Sequence, residues 1–175
     1  LRAARRLALD APERLRVADR ATEVVVVATF GVDEWLQRSR AWRAAGRASA
    51  AAAELRRMRW RGPDEDARRR ELAWAELEAG RSSSALALVP RSRADDPDAA
   101  LLRAQALRRR GWSRVPDGAW RSAFGDCARE AGRAVASLTD PARRAAADEV
   151  LLECATESGD LELAWSAWRS LEVRG

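Results

Sequence analysis

The side chains that could carry out chemistry in this chain are arginines, tryptophans, carboxylates and two cysteines. The sequence contains no His, Lys, Tyr, Asn or Ile. These absences exclude histidine acid–base catalysis, histidine metal ligands, Schiff-base lysines and the lysine of a P-loop. Adjacent carboxylates occur at Asp95-Asp96 and Asp148-Glu149, but neither pair has a glycine-rich cradle or a nucleophile beside it. The sequence therefore predicts a non-enzymatic binding protein, with no catalytic residue, metal ligand or cofactor site.

Arginine supplies all 32 positive side chains of the chain. Arginine-rich runs at 56–61, 68–70 and 108–110, together with Trp60 and Trp112, are similar to phosphate contacts interleaved with base-stacking surfaces. However, the missing Lys, Ile, Asn and Tyr have A/T-rich codons, which indicates a GC-rich genome in which arginine carries every positive charge. The 27 acids also reduce the net charge to +5. We therefore interpret the runs as helix-end arginines, with nucleic-acid binding as the weaker alternative.

The charges are unevenly distributed along the chain. Residues 139–175 contain eight acids and four arginines, a net charge of −4, so residues 1–138 carry +9. Such asymmetry indicates a partner that is itself charged, or a neighbouring domain. It does not choose between nucleic acid and protein.

Cys127 and Cys154 are the two cysteines of the chain. Their spacing matches no metal-binding pattern and no CxxC motif. We expect two small buried helix residues, because unpaired cysteine behaves as a small apolar side chain. A disulfide or a reactive thiol is the alternative.

Almost every segment has helical composition, since Ala, Arg, Leu and Glu dominate and are among the best helix formers. The β-like run is Val24–Val27, which we interpret as part of a buried helix that opens near Pro12. A short buried strand is the alternative. No apolar run approaches the 18 residues that a transmembrane helix needs, so we predict no membrane span.

Glycine and proline recur with a period of 34 residues. At matched offsets stand a turn glycine, a small residue, a branched apolar residue and a proline. The pairs are Gly46 and Gly80, Ala51 and Ala85, Leu55 and Val89, and Pro63 and Pro97. The glycine lets a helix end in a left-handed cap, and the proline fits the start of the next helix. This period predicts tandem helical hairpins of a solenoid.

These positions resemble the tetratricopeptide repeat (TPR) family. The matching residues are Trp35, Trp42, Gly46, Ala51, Leu55 and Pro63, then Leu72, Ala73, Gly80, Ala85, Val89 and Pro97, and finally Leu151, Leu152, Ala155, Gly159, Ala164, Trp168 and Leu171. The chain departs from the family at Arg38, where leucine is usual, and at Arg69 and Glu76, which occupy aromatic positions. The resemblance covers residues 32–175.

The resemblance implies an all-α, right-handed α-solenoid of about four helix-turn-helix repeats. Its expected parts are an N-terminal helical pair or cap, two repeats, a distorted repeat with a long loop, and a C-terminal repeat. They span residues 1–31, 32–65, 66–97, 98–138 and 139–175. In the distorted repeat we expect a helix at 97–110 that ends at Gly111, then a loop and a helix at about 119–138. The resemblance also implies that Trp35, Trp42, Trp165 and Trp168 are core anchors.

In this family, partners usually bind a concave face lined by the first helix of each hairpin. We apply this rule by matching offsets from the turn glycines. It predicts six partner-binding residues: Arg40, Arg43, Arg70, Trp74, Gln105 and Arg108. Arginine forks can hold a carboxylate or phosphate, and Trp74 could pack an apolar side chain. Glu149, Glu153 and Glu157 would make the far end of the groove acidic. The alternative is a solvated face in which these arginines pair with nearby acids. The family's Lys and Asn clamp for a peptide carboxylate is not indicated.

We therefore expect a protein–protein interaction scaffold that binds a protein or an acidic peptide. The alternatives are a helical arm of a larger multidomain enzyme or transcription regulator and, more weakly, a nucleic-acid-binding repeat. The helix at 161–174 carries one apolar stripe, which predicts a homodimer contact or contact with another domain. The stripe is formed by Leu161, Ala164, Trp165, Trp168 and Leu171. Because the chain starts at Leu1 without a secretory signal, we expect an excised or processed chain, and cytoplasmic location is only slightly preferred.

Overall fold

A computed structural model of the chain describes residues 2–18, 20–59, 61–89, 96–113 and 119–173. Within these ranges the protein consists of eleven α-helices and contains no strand, which confirms the all-α class. The helices are α1 Arg2–Asp10, α2 Pro12–Ala18, α3 Arg20–Val27, α4 Val32–Ala44, α5 Ala48–Arg57, α6 Pro63–Glu78, α7 Ser82–Leu88, α8 Pro97–Trp112, α9 Ala119–Ser137, α10 Pro141–Ser158 and α11 Leu161–Glu172. None of these helices is long and apolar enough to cross a bilayer.

The chain divides into two compact units, Leu1–Arg81 and Ser82–Gly175. In the first unit, α1 packs on α3 and α4, and α4, α5 and α6 pack on one another. In the second unit, α7 packs on α8, and each of α8, α9 and α10 packs on the helix that follows. The predicted repeat 66–97 would consist of α6 and α7, which belong to different units, so its hairpin packing stays a prediction.

Three helices end with the same glycine turn. Gly46, Gly80 and Gly159 have positive φ angles of 72°, 81° and 83°. In each turn, the amide after the glycine donates to the carbonyl four residues before the glycine, at 2.8, 2.8 and 2.9 Å. This hydrogen bond closes the Schellman type of helix end, which needs a left-handed residue. The predicted left-handed glycine caps are confirmed.

Proline and aspartate mark the helix starts. Pro63 and Pro97 are the first residues of α6 and α8, as predicted from their spacing. Asp96 caps α8 by accepting from the amides of Asp98 and Ala99 at 3.0 and 3.2 Å. The Asp96 side chain satisfies two amides that have no partner within the helix, so local residue chemistry fixes where α8 begins.

The valine run is helical but is not part of a buried helix opening at Pro12. The helix that begins at Pro12 ends at Ala18, and the valines lie in the separate helix α3. Val26 is buried, whereas Val24 and Val25 are exposed. Four consecutive residues span most of a helix circumference, so a helix that buries one face cannot bury all four.

Gly111 does not end its helix, contrary to the prediction. Helix α8 continues to Trp112, and Gly111 is buried inside it. A Cβ atom on Gly111 would lie 2.7 Å from Cζ of Phe124, so this glycine permits the close approach of α9. The predicted second helix at 119–138 is confirmed by α9, while residues 114–118 of the predicted loop lie outside the described residues.

Two of the four predicted tryptophan anchors are exposed. Trp42 is buried as predicted, and Trp35 is half-buried with its ring edge-on to Phe30 at 5.6 Å. Trp165 and Trp168 are both exposed on α11, so their prediction as core residues is wrong. The buried side of α11 is formed by Ala164 and Ala167, and Leu163 packs against the same core while partly buried.

The two cysteines are bonded to each other, so the expectation of unpaired thiols is wrong. Cys127 of α9 and Cys154 of α10 are completely buried, as expected, and their Cα atoms lie 5.9 Å apart. Their sequence separation of 27 residues places them on adjacent packed helices. The cross-link joins α9 to α10 within the core of the second unit.

Candidate interaction surface

The six predicted partner-binding residues fall into two groups. Arg40 and Arg43 lie on α4 and Arg70 and Trp74 lie on α6, all in the first unit. Gln105 and Arg108 lie on α8, in the second unit. Helix α4 packs directly on α6, Arg43 lies over Trp74, and Arg70 precedes Trp74 by one helical turn. We call the surface formed by Arg40, Arg43, Arg70 and Trp74 the α4–α6 face.

Arg43 is fixed at the middle of this face by two carboxylates. Its Nη1 donates to Glu71 at 2.8 Å, and its Nε and Nη2 donate to the two oxygens of Glu78 at 2.9 and 2.6 Å. Its guanidinium also lies over the ring of Trp74, 5.7 Å from the centroid. Burial alone would lower the pKa of Arg43, but Glu78 and Glu71 together raise it above its usual value. Arg43 is therefore a fixed, permanently charged group.

Arg40 is much freer than Arg43. Its side chain is 67% exposed, and its Nε lies 3.6 Å from Glu71. Glu71 itself is buried and also accepts from Oγ of Ser39 at 3.1 Å and from Arg43. Glu71 thus anchors the α4 side chains on α6, while Arg40 still presents most of its guanidinium to solvent.

The face as a whole combines charges of both signs around a half-buried aromatic ring. Arg40 and Arg70 are exposed, Trp74 is half-buried, and the carboxylates of Glu71 and Glu78 surround Arg43. For Arg43, the structure agrees with the alternative in which groove arginines pair with nearby acids. Sequence reasoning did not select Glu78, although it lies one turn after Trp74 on α6, and it did not pair Glu71 with Arg43.

In the second unit, Arg108 is also paired. Its Nη1 donates to Glu153 of α10 at 2.9 Å, and the indole of Trp112 donates to the other oxygen of Glu153 at 2.7 Å. Gln105 is half-buried on the same helix. The predicted separation into basic and acidic stretches therefore fails here, because Arg108 and Glu153 are in direct contact.

A buried charge network in the first unit surrounds Arg38. Arg38 is almost completely buried and donates through Nε and Nη2 to both oxygens of Glu54, at 2.8 and 2.9 Å. Its Nη2 also donates to Glu23, and its Nη1 donates to the carbonyl of Ala8 at 2.8 Å. The guanidinium lies 5.5 Å from the centroid of the Trp42 ring. Every face of the guanidinium is thus in contact with protein.

Arg16 completes this network from the outside. It donates to Glu23 at 3.1 Å and to Glu54 at 2.5 Å, and its guanidinium lies 4.6 Å from the Trp42 ring centroid. Burial alone would lower the pKa of Arg16, but Glu23 and Glu54 raise it. Two arginines and two glutamates balance in charge, and they hydrogen-bond to one another and, through Arg38, to the carbonyl of Ala8. We therefore assign the network to stability and exclude it from the partner surface.

Arginines on three helices bind the ends of earlier helices in the same way. In each case Nη1 donates to a carbonyl in or just after the last turn of that earlier helix. The pairs are Arg38 with Ala8, Arg68 with Leu55 and Arg103 with Val89, at 2.8, 2.9 and 2.5 Å. A cation at a helix C-terminus satisfies its free carbonyls and interacts favourably with the helix dipole. The contact recurs in both units.

Comparisons with family models, curated protein sequences and solved structures returned no match for this chain. Over the part of the chain that the structure describes, no three His, Cys, Asp or Glu side chains are grouped in a way that could hold a metal ion. Trp60 and Asp95, which entered the nucleic-acid and carboxylate interpretations, lie outside the described residues.

Proposed function

We propose that this chain is a non-catalytic protein-interaction scaffold built from TPR-like helical hairpins, arranged as a right-handed solenoid of about four repeats. Three observations support the repeat. The same glycine turn recurs three times, and proline opens α6 and α8 one period apart. In addition, α4 packs on α6 and α8 packs on α10, so alternate helices contact each other as stacked hairpins require.

The partner we propose for the α4–α6 face is a protein segment with an acidic side chain next to an apolar one. The observation that carries this proposal is the fixed position of Arg43 over Trp74, with the exposed Arg40 beside it. Arg43 is held before the partner arrives, so binding costs little side-chain entropy at that position. Arg40 and Arg70 would contact the acidic group, and the open part of Trp74 would pack the apolar one. Gln105 and Arg108 stay predicted contacts of the second unit.

A display library of random linear peptides, selected on the full chain, tests this proposal. We expect selected peptides to be enriched in Asp or Glu next to an apolar residue. Arg40→Glu/Arg70→Glu should weaken their binding by about 5–30-fold, the equivalent of 1–2 kcal/mol, because two attractive charges become repulsive. Trp74→Ala should also weaken binding.

The matched control is Arg57→Glu/Arg59→Glu, which makes the same charge change at exposed positions of the same unit that lie on neither α4 nor α6. This control should leave peptide binding almost unchanged apart from a small salt-sensitive effect. Equal losses in the two double variants would show that only net charge matters. That result, or a selection without acidic enrichment, would disprove the proposed surface.

A further inference from the structure

Within the described part of the chain, helix α11 presents an exposed apolar aromatic face. Leu161, Trp165 and Trp168 are 73%, 54% and 40% exposed. The two indole rings stack on each other with centroids 4.8 Å apart and planes inclined by 23°. Arg169 lies over the outer part of this pair, 5.1 Å from the centroid of Trp165. The stacked pair is a large, ordered apolar surface of the kind found at protein interfaces.

Acidic groups accompany this face. Leu161, Trp165, Trp168 and Glu172 follow one stripe along α11, because successive members are separated by three or four residues. Glu162 is exposed beside the stripe and Glu172 lies at its C-terminal end, while Arg169 covers part of Trp165. A surface that complements this face must therefore offer small apolar groups to the tryptophans and a positive charge opposite Glu172.

Helix α3 has those properties on its exposed side. Val24 and Val25 are 63% and 62% exposed, and Arg20 and Ala28 are also exposed. The acidic residue of α3, Glu23, points into the buried network with Arg16 and Arg38, so the exposed side of α3 carries no carboxylate. This side therefore combines small apolar groups with the positive charge of Arg20.

We propose that the chain associates head to tail with a second copy, with the exposed side of α3 from one copy lying on the aromatic face of α11 from another. The two stripes match when the helices run antiparallel. Arg20 then faces Glu172, and Val24, one turn further, faces Trp168, because four residues advance about 6 Å on either helix. Ala28 leaves room for the bulk of Trp165.

This contact joins two different surfaces, so it does not close on itself in the way a symmetric dimer contact does. When two copies are joined by one such contact, one copy keeps a free α11 and the other keeps a free α3, and association continues beyond the dimer. Two short helix faces bury less area than a stable dimer interface does, so the association is weak and increases with concentration.

Sedimentation equilibrium of the full chain over a range of concentrations tests the proposal. The average mass should rise past that of two chains. Val24→Glu and Trp168→Glu should each weaken association about ten-fold or more, because each places a carboxylate in the apolar contact. Ser166→Glu, a charge change at an exposed position of α11 outside the stripe, is the matched control. The altered positions are exposed, and far-UV circular dichroism should show unchanged helix content.

Two further measurements identify the contact itself. Mixing the Val24→Glu chain with the Trp168→Glu chain should restore a complex of one copy each, since the first retains an intact α11 and the second an intact α3. Arg20→Glu and Glu172→Arg should each weaken association, and the chain that carries both should regain it. A monomer at all concentrations overturns the proposal. So does a dimer that Trp168→Glu abolishes and Val24→Glu leaves intact, because that is an α11–α11 contact.

Discussion

Replacing Arg38 by leucine tests whether the buried network holds the first unit together. Leucine is the residue that the TPR resemblance places at this position, so a pattern-based view predicts that Arg38→Leu is harmless or stabilising. The structure predicts the opposite. Among the described residues, the substitution leaves the buried Glu23 and the half-buried Glu54 with Arg16 as their cationic partner, and it removes the donor that satisfies the carbonyl of Ala8.

The expected loss is large. Removing one partner of a buried ion pair costs about 3–5 kcal/mol, because the remaining charge stays desolvated and unbalanced. For a unit of this size, such a loss should lower the melting temperature by about 12 °C or more. Arg16→Leu removes a partner whose side chain is 41% exposed, so solvent compensates and the loss should be only about 1 kcal/mol.

Guanidinium denaturation combined with amide hydrogen exchange measures this effect where it arises. The free energy of unfolding gives the size of the loss, and exchange should accelerate in α4 and α5 before it accelerates in α9 and α10. The variant Arg38→Leu/Glu23→Leu/Glu54→Leu, which removes all three buried charges, should recover most of the lost stability. A loss below about 1 kcal/mol, or a triple variant no better than Arg38→Leu, would refute the reasoning.

Three more predictions concern single features of the fold. Cys127→Ala/Cys154→Ala should lower the free energy of unfolding in urea by about 3.5 kcal/mol, the chain-entropy value for a cross-link spanning 27 residues; an unchanged midpoint would contradict it. Gly111→Ala should destabilise by about 1–3 kcal/mol through overpacking in a thermal melt, whereas Gly132→Ala in α9, where a Cβ meets nothing, should stabilise by up to about 1 kcal/mol. The pKa of Glu34 is lowered, first by hydrogen bonds from Arg5 of α1 and then by the backbone amide of Gly31. The stability that Glu34 contributes is therefore present above its unfolded-state pKa and is lost as the pH falls through its folded-state pKa. Glu34→Gln should therefore be less stable than the parent near neutral pH and converge with it in acid; parallel pH–stability curves would exclude this.

The helix boundaries could be predicted from sequence because they depend on local backbone chemistry. A left-handed turn needs a residue without a Cβ, and Gly46 and Gly80 supply it. A helix start tolerates a residue without an amide hydrogen, and Pro63 and Pro97 supply that. Gly111 shows where prediction of helix ends from glycine fails, because a glycine can also allow two helices to pack closely. The same residue type there allows a ring from another helix to approach, which no local pattern reveals.

The candidate site could be predicted only in part. The offsets brought Arg40, Arg43 and Trp74 to neighbouring positions on packed helices, which a helical period can specify. The period cannot specify which acids neutralise them. Glu78 lies 35 residues after Arg43 in the sequence, and the pairing of the two side chains depends on how closely α4 and α6 pack. The sequence supported two predictions for Trp165, a core anchor and a residue of an apolar stripe that contacts another copy or domain, because an apolar stripe does not state whether anything covers it.

Two arginines, Arg38 and Arg103, belong to the protein core. Much of the core is alanine, including Ala51, Ala52 and Ala73, and alanine offers little apolar area. The long aliphatic stem of an arginine supplies that area, provided that its charged end is paired. Arg38 and Arg103 are both buried and both paired with a glutamate and a backbone carbonyl. At these two positions arginine fills the space of a large core residue, in a sequence that contains no isoleucine, tyrosine or lysine. Arg38 and Arg103 therefore do not contribute to the positive surface, to which exposed arginines such as Arg40 belong.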